Sequence, residues 1–352
     1  MSLWVDKYRP DSIAKLSYHE DLTGQLKKLS EVEEVPHLLV YGPSGAGKKT
    51  RIHALLKGIF GDGVEKIHID MRQFTTPSNR KIDISIVSSN FHMELNPSDV
   101  GNQDRFVIQT VIKEIAQTQQ IDSNSKRKFK VIVISEAESL SKPAQQALRR
   151  TMEKYMSNLR IILCCNNTTN IISPIRSRCL LLRVPAPTEE QIINILNDLS
   201  RKEVFDLPPQ FAKNLVAMSD RNLRKAILIL EATLSQTYPV NPSTPIPIPD
   251  WELYIKNIAN NIIKNQTALT LINCRTMYYE LLARCIPPAT ILKQLTIELF
   301  NQVPDSFKLT LLKEATIFDL RIKEGQKYIV HLEGFTAKFM SLYKRFQIEL
   351  LK

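Results

Sequence analysis

The chain has 352 residues, too many for one ordinary compact domain, and its 43% hydrophobic and 24% charged residues exclude wholesale disorder. Forty-seven lysines and arginines against 36 acidic residues give a net charge of +11 and a pI near 9.3. That excess suits a polyanion such as DNA or RNA through counterion release, without requiring one.

In chain order, residues 37–41 (HLLVY) form a short apolar run ending at Gly42, and the spacing from Lys48 to Ile59 predicts a helix. Lys66–Asp70 reads as a short buried strand. Ile82, Ile84 and Ile86 alternate with polar residues, as do Phe91, Met93 and Leu95 after the Ser88-Ser89-Asn90 turn, which predicts an inserted hairpin. Phe106–Ala116 has helical apolar spacing, and Lys130–Ile134, Arg160–Cys165 and Leu180–Val184 read as further buried strands. Short apolar strands alternating with helices predict an α/β domain over residues 1–184, a parallel sheet covered on both faces. Beyond Pro185 and Pro187, Thr188-Glu-Glu-Gln191 is a capping box that opens a helix. More helix follows over about 209–236, giving a small helical domain at 185–237. Five prolines between Tyr238 and Asp250 forbid helix and predict an extended linker over 238–250. Residues 251–352 show helical periodicity nearly throughout, with a helix start at Pro287-Pro288, and form a third, all-α domain.

The cysteines (Cys164, Cys165, Cys179, Cys274, Cys285) are odd in number and lack CxxC spacing, which argues against a disulfide framework or a zinc site. No apolar run reaches the roughly 18 residues of a membrane span, and the charged start MSLWVDKYRP is no signal peptide. A soluble intracellular protein is expected.

Gly42-Pro43-Ser44-Gly45-Ala46-Gly47-Lys48-Lys49-Thr50 lies between a predicted strand and a predicted helix, the context that a Walker A phosphate loop requires. Its glycines let backbone N–H groups curl around phosphates, Lys48 reaches the β- and γ-phosphates, and the helix N-terminus adds partial positive charge. One position departs from the motif. Lys49 stands where a Ser or Thr hydroxyl should ligate Mg²⁺, and an ammonium cannot coordinate a cation. Thr50 comes one residue late, about 100° around the helix axis. Val131–Ile134 followed by Ser135-Glu136 looks like a Walker B strand with Ser135 in place of the metal-holding Asp. Glu136 is then either the residue that activates water or an ordinary strand-end carboxylate. With both metal positions altered, a nucleotide site with weak or absent hydrolysis is expected, and no metal ligand is assigned.

Further segments carry a family resemblance. Trp4–Pro10 (WVDKYRP) resembles the N-terminal box of clamp-loader subunits, and Ala144–Glu153 (AQQALRRTME) resembles one of their helices. Asn166 falls at the sensor-1 position, Ser177-Arg178-Cys179 matches the SRC motif, and Asp220–Ala226 (DRNLRKA) resembles the sensor-2 segment, with Arg224 as its arginine. In the family's order, these motifs cover residues 3–226. The chain thus resembles a small subunit of eukaryotic replication factor C, the one with a Lys-Lys loop and a degenerate Walker B strand. The C-terminal third is assigned by position and helicity alone.

The resemblance implies an AAA+ domain with a helical lid and a C-terminal collar domain. It implies a nuclear, five-subunit, ATP-dependent loader that opens the ring clamp PCNA and places it on primer–template DNA. The partners would be four other replication factor C subunits, PCNA and that DNA, with no membrane. The ligand would be ATP or ADP, with Mg²⁺ weakly held or absent in this chain's own site. Val5, Tyr8 and Pro10 would pack on the base, Arg9 would donate to the nucleotide, and Ser17 lies by the same box; an arm packed on its own domain also fits these residues. Asn166 would orient water or a γ-phosphate, or only hold structure. Arg224 would couple lid angle to nucleotide state, or be a solvated helix arginine, and Arg178 would point into a neighbour's ATP site, or form an intramolecular ion pair at the domain edge. Arg149 and Arg150 would project from the core, toward a neighbouring subunit or toward solvent. Arg105 and Lys113, with Arg80 and Lys81, would track DNA phosphates, and Lys126-Arg127-Lys128 would form a solvated face or lie toward the clamp. Two rivals stand beside this reading. An active stand-alone AAA+ ATPase would want Asp at 135 and Ser or Thr at 49. A nucleotide-independent subunit would not need the intact glycines and Lys48.

Overall fold

The computed structural model describes residues 2–75, 81–96, 104–117, 129–156, 158–242, 244–325 and 327–350. The chain divides into two compact units, Met1–Ile246 and Pro247–Lys352.

The first unit opens with a one-turn helix, α1 (Trp4–Lys7), and a longer one, α2 (Glu20–Glu31). The sheet and its helices follow as β1 (Leu38–Tyr41), α3 (Lys48–Phe60), β2 (His68–Thr75), β3 (Lys81–Ser88), β4 (His92–Leu95) and α4 (Asp104–Gln117). Next come β5 (Lys130–Ile134), α5 (Lys142–Lys154), β6 (Leu159–Cys165), α6 (Ser173–Arg176) and β7 (Leu180–Arg183). Among the described residues the strands form one sheet in the order β2-β3-β4-β5-β6-β1-β7. Strands β4, β5, β6, β1 and β7 run parallel, whereas β3 is antiparallel to β4 and β2 antiparallel to β3. The expected parallel sheet is therefore a mixed one.

Each central strand is apolar on both sides because helices cover both faces. All of β6 is buried. Ile161, Leu163 and Cys165 pack with α4 and α5, and Ile162 and Cys164 pack on the opposite face with α2 and α3. That division follows from the two-residue period of a strand. The expected hairpin exists, but β3 and β4 share only a short ladder, Val87↔Glu94 and Ser88↔Met93. The long partner of β3 is β2, paired from His68↔Ser88 to Thr75↔Lys81. Of residues 66–70, expected as a buried strand, 68–70 join this edge strand, where Ile69 and Met71 are exposed. An apolar residue at a sheet edge has no neighbouring layer to bury it.

Three helices complete the first unit: α7 (Glu189–Glu203), α8 (Pro209–Met218) and α9 (Leu223–Gln236). The Thr188–Gln191 capping box forms with both of its reciprocal bonds, and Asn222 caps α9 by accepting from the Lys225 N–H. Leu196, Phe211, Leu215 and Leu230 form the core of this lid, and Trp4 and Tyr8 from the start of the chain pack against it.

The second unit is all helical: α10 (Asp250–Lys264), α11 (Ala268–Ala283), α12 (Pro288–Gln302), α13 (Asp305–Glu324) and α14 (Tyr328–Leu350). Its core includes Tyr278, Phe335 and Phe339. All five cysteines are unpaired thiols, and Cys285 alone among them is exposed. No helix among the described residues is long and apolar enough to cross a membrane.

Candidate functional site

The chain must turn from β1 into α3 over residues 42–47, and the glycines make that turn possible. Gly47 sits at φ 84°, where a Cβ would lie 2.2 Å from the Tyr18 hydroxyl. Gly45, at φ 74°, comes so close to the lid that a Cβ would lie 1.7 Å from Asn222 Oδ1.

Lys48 Nζ donates to the carbonyls of Gly42 and Pro43 at 2.8 and 2.9 Å and to Asn166 Oδ1 at 2.8 Å. Burial holds its pKa below the ordinary lysine value. Asn166 passes the connection on: its Nδ2 and backbone N–H donate to Glu138 Oε1 at 2.7 and 3.1 Å. The phosphate loop, the end of β6 and the turn after β5 are thereby joined. The carboxylate in this relay is Glu138, which sequence reasoning did not single out. Glu136 is exposed and takes a left-handed backbone conformation, φ 51°, at the head of the same turn.

Two further residues missed in the sequence hold the loop from beneath. Arg51 is 1% exposed and donates to Ala46 O at 3.2 Å and Tyr18 O at 2.9 Å. Its guanidinium lies 4.2 Å from the centre of the Tyr18 ring, and the Tyr18 hydroxyl donates to Ala46 O at 3.0 Å. An arginine on a helix ordinarily reads as solvated, so only the fold reveals this one as a support.

Above the loop lies a cavity between the N-terminal segment and the lid. Val5, Tyr8, Arg9, Pro10 and Ser17 line it from one side, and Gly45, Gly47 and Thr50 from the loop. Arg224, on the first turn of α9, closes it with Leu223 and Ile227. The lid also contributes Ile195, Asp198, Leu199 and Lys202, none of which a local motif announces. The surface is apolar where a base would lie and cationic at Arg9, Arg224, Lys15 and Lys202, which fits an anionic nucleotide. Ser44 is exposed at the loop tip.

The metal positions fit less well. Lys49 Nζ lies 3.4 Å from Glu94 Oε2, an ion pair in place of a hydroxyl ligand. Ser135 uses its backbone N–H on Leu95 O at 3.0 Å. Beside Lys49, the described residues contain a cluster the sequence reading did not find: His53, His92 and Glu94, with one ligand-type atom from each within 4.8 Å of the others. Burial brings the His92 pKa down to about 4 and also lowers that of His53.

Arg178 lies apart from the cavity, just before β7, with Nη2 2.6 Å from Glu153 Oε1 and Nη1 donating to Pro174 O at 2.7 Å. Arg149 and Arg150 are exposed on α5, opposite buried Ala144, Ala147, Leu148 and Met152. Arg105 and Lys113 are exposed on α4. Lys81 lies in β3, but its side chain is outside the described set; Arg80 and Lys126-Arg127-Lys128 lie outside the described residues.

A phosphate-loop sheet with a helical lid over the same cavity is the architecture of AAA+ nucleotide-binding proteins. Comparison with known proteins narrows this further. Residues 194–234 match the model of the RCF1/5-like AAA+ ATPase lid domain, and residues 251–347 match the C-terminal domain of replication factor C subunit 3. Residues 18–188 match the model of the DNA polymerase III delta subunit. The human replication factor C subunit 3 is 51% identical over 346 residues, 98% of this chain and 97% of that protein. Replication factor C subunit 5 of Neurospora crassa is 49% identical over 99% of both chains, and that of Schizosaccharomyces pombe is 45% identical over 98% of both. The chain belongs to the replication factor C family, on the branch of the subunits numbered 3 in human and 5 in these fungi.

Proposed function

We propose that this chain is one subunit of a heteropentameric, ATP-dependent clamp loader, working with four other replication factor C subunits to place PCNA on primer–template DNA in the nucleus. In its own site it binds ATP or ADP and hydrolyses it weakly or not at all. The observation that carries this reading is the convergence of Val5, Tyr8, Arg9 and Pro10, the phosphate loop and Arg224 on one cavity. The N-terminal residues would pack on the base, Lys48 and the loop amides would take the phosphates, and Arg224 would tie their charge to the lid. Asn166 would hold Lys48 in place. The site lacks the hydroxyl and carboxylate that hold Mg²⁺, and losing a few kcal/mol of transition-state stabilisation slows turnover by several factors of ten. The subunit's chemical contribution then lies in Arg178, offered to the ATP site of a neighbour, where an arginine stabilises charge developing on the transferred phosphoryl group. Arg105 and Lys113 would track DNA phosphates without reading sequence.

The test is direct. The purified chain should retain adenine nucleotide and release phosphate at background rate. Rapid turnover that disappears on Glu136→Gln would overturn the reading, and so would a chain that retains no nucleotide.

A further inference from the structure

We propose that His53, His92 and Glu94 form a binding site for a zinc-class divalent cation, one helical turn from the phosphate loop. His92 and Glu94 are two apart on β4 and so share one face of the sheet. His53 stands four residues after Lys49 on α3, on the helix face that Lys49 also occupies. Two imidazoles and one carboxylate thus meet in the layer between α3 and the sheet. His53 Nε2 lies 3.0 Å from Glu94 Oε1, and the three candidate ligand atoms all lie within 4.8 Å of one another. Around zinc, ligands at about 2.0–2.2 Å in tetrahedral array stand roughly 3.4 Å apart, so side-chain rotations of an ångström or so would complete the set.

Two independent features point to a missing partner. His92 is 2% exposed, yet its Nε2 has no hydrogen-bond partner. Glu94 is 8% exposed, and its Oε1 accepts no hydrogen bond despite its nearness to His53. Buried polar atoms left this way are rare, and each calls for an explanation. The other nitrogen of His92 is already engaged: Nδ1 lies 2.6 Å from Ser89 Oγ. With Nδ1 engaged there, Nε2 is the nitrogen left to take a ligand, as outer-shell partners leave one nitrogen free in metal-bound histidines. A charge network of Lys49, His53 and Glu94 places cations near the carboxylate but gives Oε1 no hydrogen bond and leaves His92 Nε2 unexplained. The three protein ligands would leave a fourth position for water.

Lys49 is the competitor. Its ammonium pairs with Glu94 Oε2, and a dication on Oε1 would repel it, so metal and lysine share one carboxylate. Since 45% of the Lys49 side chain is exposed, it can swing into solvent.

The experiment is a Co²⁺ titration of the chelator-stripped, purified chain, followed by visible absorption, with Zn²⁺ as competitor. One saturable site is expected, with the intense bands of four- or five-coordinate cobalt that Zn²⁺ abolishes. Glu94→Gln and His53→Gln should each weaken binding at least tenfold, and Lys49→Met should strengthen it several-fold. Circular dichroism checks that each variant is folded; if Glu94→Gln is not, His53→Gln and Lys49→Met still decide. Only weak, octahedral-type cobalt spectra, or affinities the same in the variants as in the parent chain, would show that the cluster holds no metal.

Discussion

The Arg178 guanidinium meets the Glu153 carboxylate at 2.6 Å, tying the segment leading into β7 to the last turn of α5. With its second bond to Pro174 O, the arginine is anchored at the edge of the sheet domain while remaining partly open to solvent. Glu153 therefore orients Arg178 without burying it. In the assembled complex, Arg178→Ala should slow hydrolysis in the neighbour's site at least about tenfold, since arginine fingers in other NTPases contribute more than this, and so lower the complex's ATPase activity. Glu153→Ala should lower it less, and Lys48→Ala in this chain should do much less to turnover. A complex that assembles normally with Arg178→Ala and hydrolyses at the parental rate removes the trans-acting role.

Arg51 and Tyr18 make a second prediction. Arg51→Met keeps much of the bulk but leaves Ala46 O and Tyr18 O without their guanidinium donors. The expected loss of stability is about 2–3 kcal/mol, read from urea denaturation, with weaker nucleotide retention because the loop loses its floor. If both measurements match the parent chain, the guanidinium is dispensable.

His37 gives a pH dependence with a definite sign. Its Nδ1 accepts the Ile161 N–H at 3.0 Å, and burial, helped by Arg160, pulls its pKa from 6.5 to about 4. Between those values the unfolded chain binds the proton and the folded chain does not. The contribution is therefore complete above about pH 6.5 and is lost as pH falls toward 4. Its total is about 3 kcal/mol. His37→Asn keeps an acceptor but cannot titrate, so its stability should fall less steeply with acid. His92 titrates in the same sense, so some slope remains. Identical acid slopes for the two proteins would contradict the assignment.

For DNA, Arg105→Ala and Lys113→Ala in the assembled complex should each weaken binding equally across sequences. Each should lessen the salt dependence by about one unit, the signature of a lost phosphate contact. A salt dependence identical to the parent's would place both residues off the DNA surface.

The parts of the site carried by contiguous residues were legible in the sequence. The loop at 42–50 and the capping box at Thr188–Gln191 announce themselves because their chemistry is local. Val5, Tyr8, Arg9, Pro10 and Arg224 came from family resemblance, and the fold places them on one cavity. What was not legible depends on distant chain segments. Ile195, Asp198 and Lys202 look like ordinary positions of an amphipathic helix until the lid closes on the loop. Glu138 sits beside Glu136 in sequence, and only the turn after β5 decides which one reaches Asn166. His53 is far in sequence from His92 and Glu94, so no metal-ligand spacing marks the cluster. The apolar positions within Lys66–Asp70 predicted burial because periodicity shows a face, not whether anything covers it, and Ile69 is exposed.

The attachment of the N-terminal segment to the lid sets an order of assembly. The Trp4 N–H donates to Glu231 across 227 positions of sequence, Trp4 stacks on Phe205 at 5.8 Å, and the Tyr8 hydroxyl donates to Glu203 at 2.5 Å. These residues leave the ribosome well before their partners, which follow on the order of ten to forty-five seconds later at ordinary rates of synthesis. During that interval the sheet can form around its own strands, while the opening helix waits with an aromatic surface uncovered. A segment made roughly two hundred residues ahead of its partners thus finds its place only after they follow.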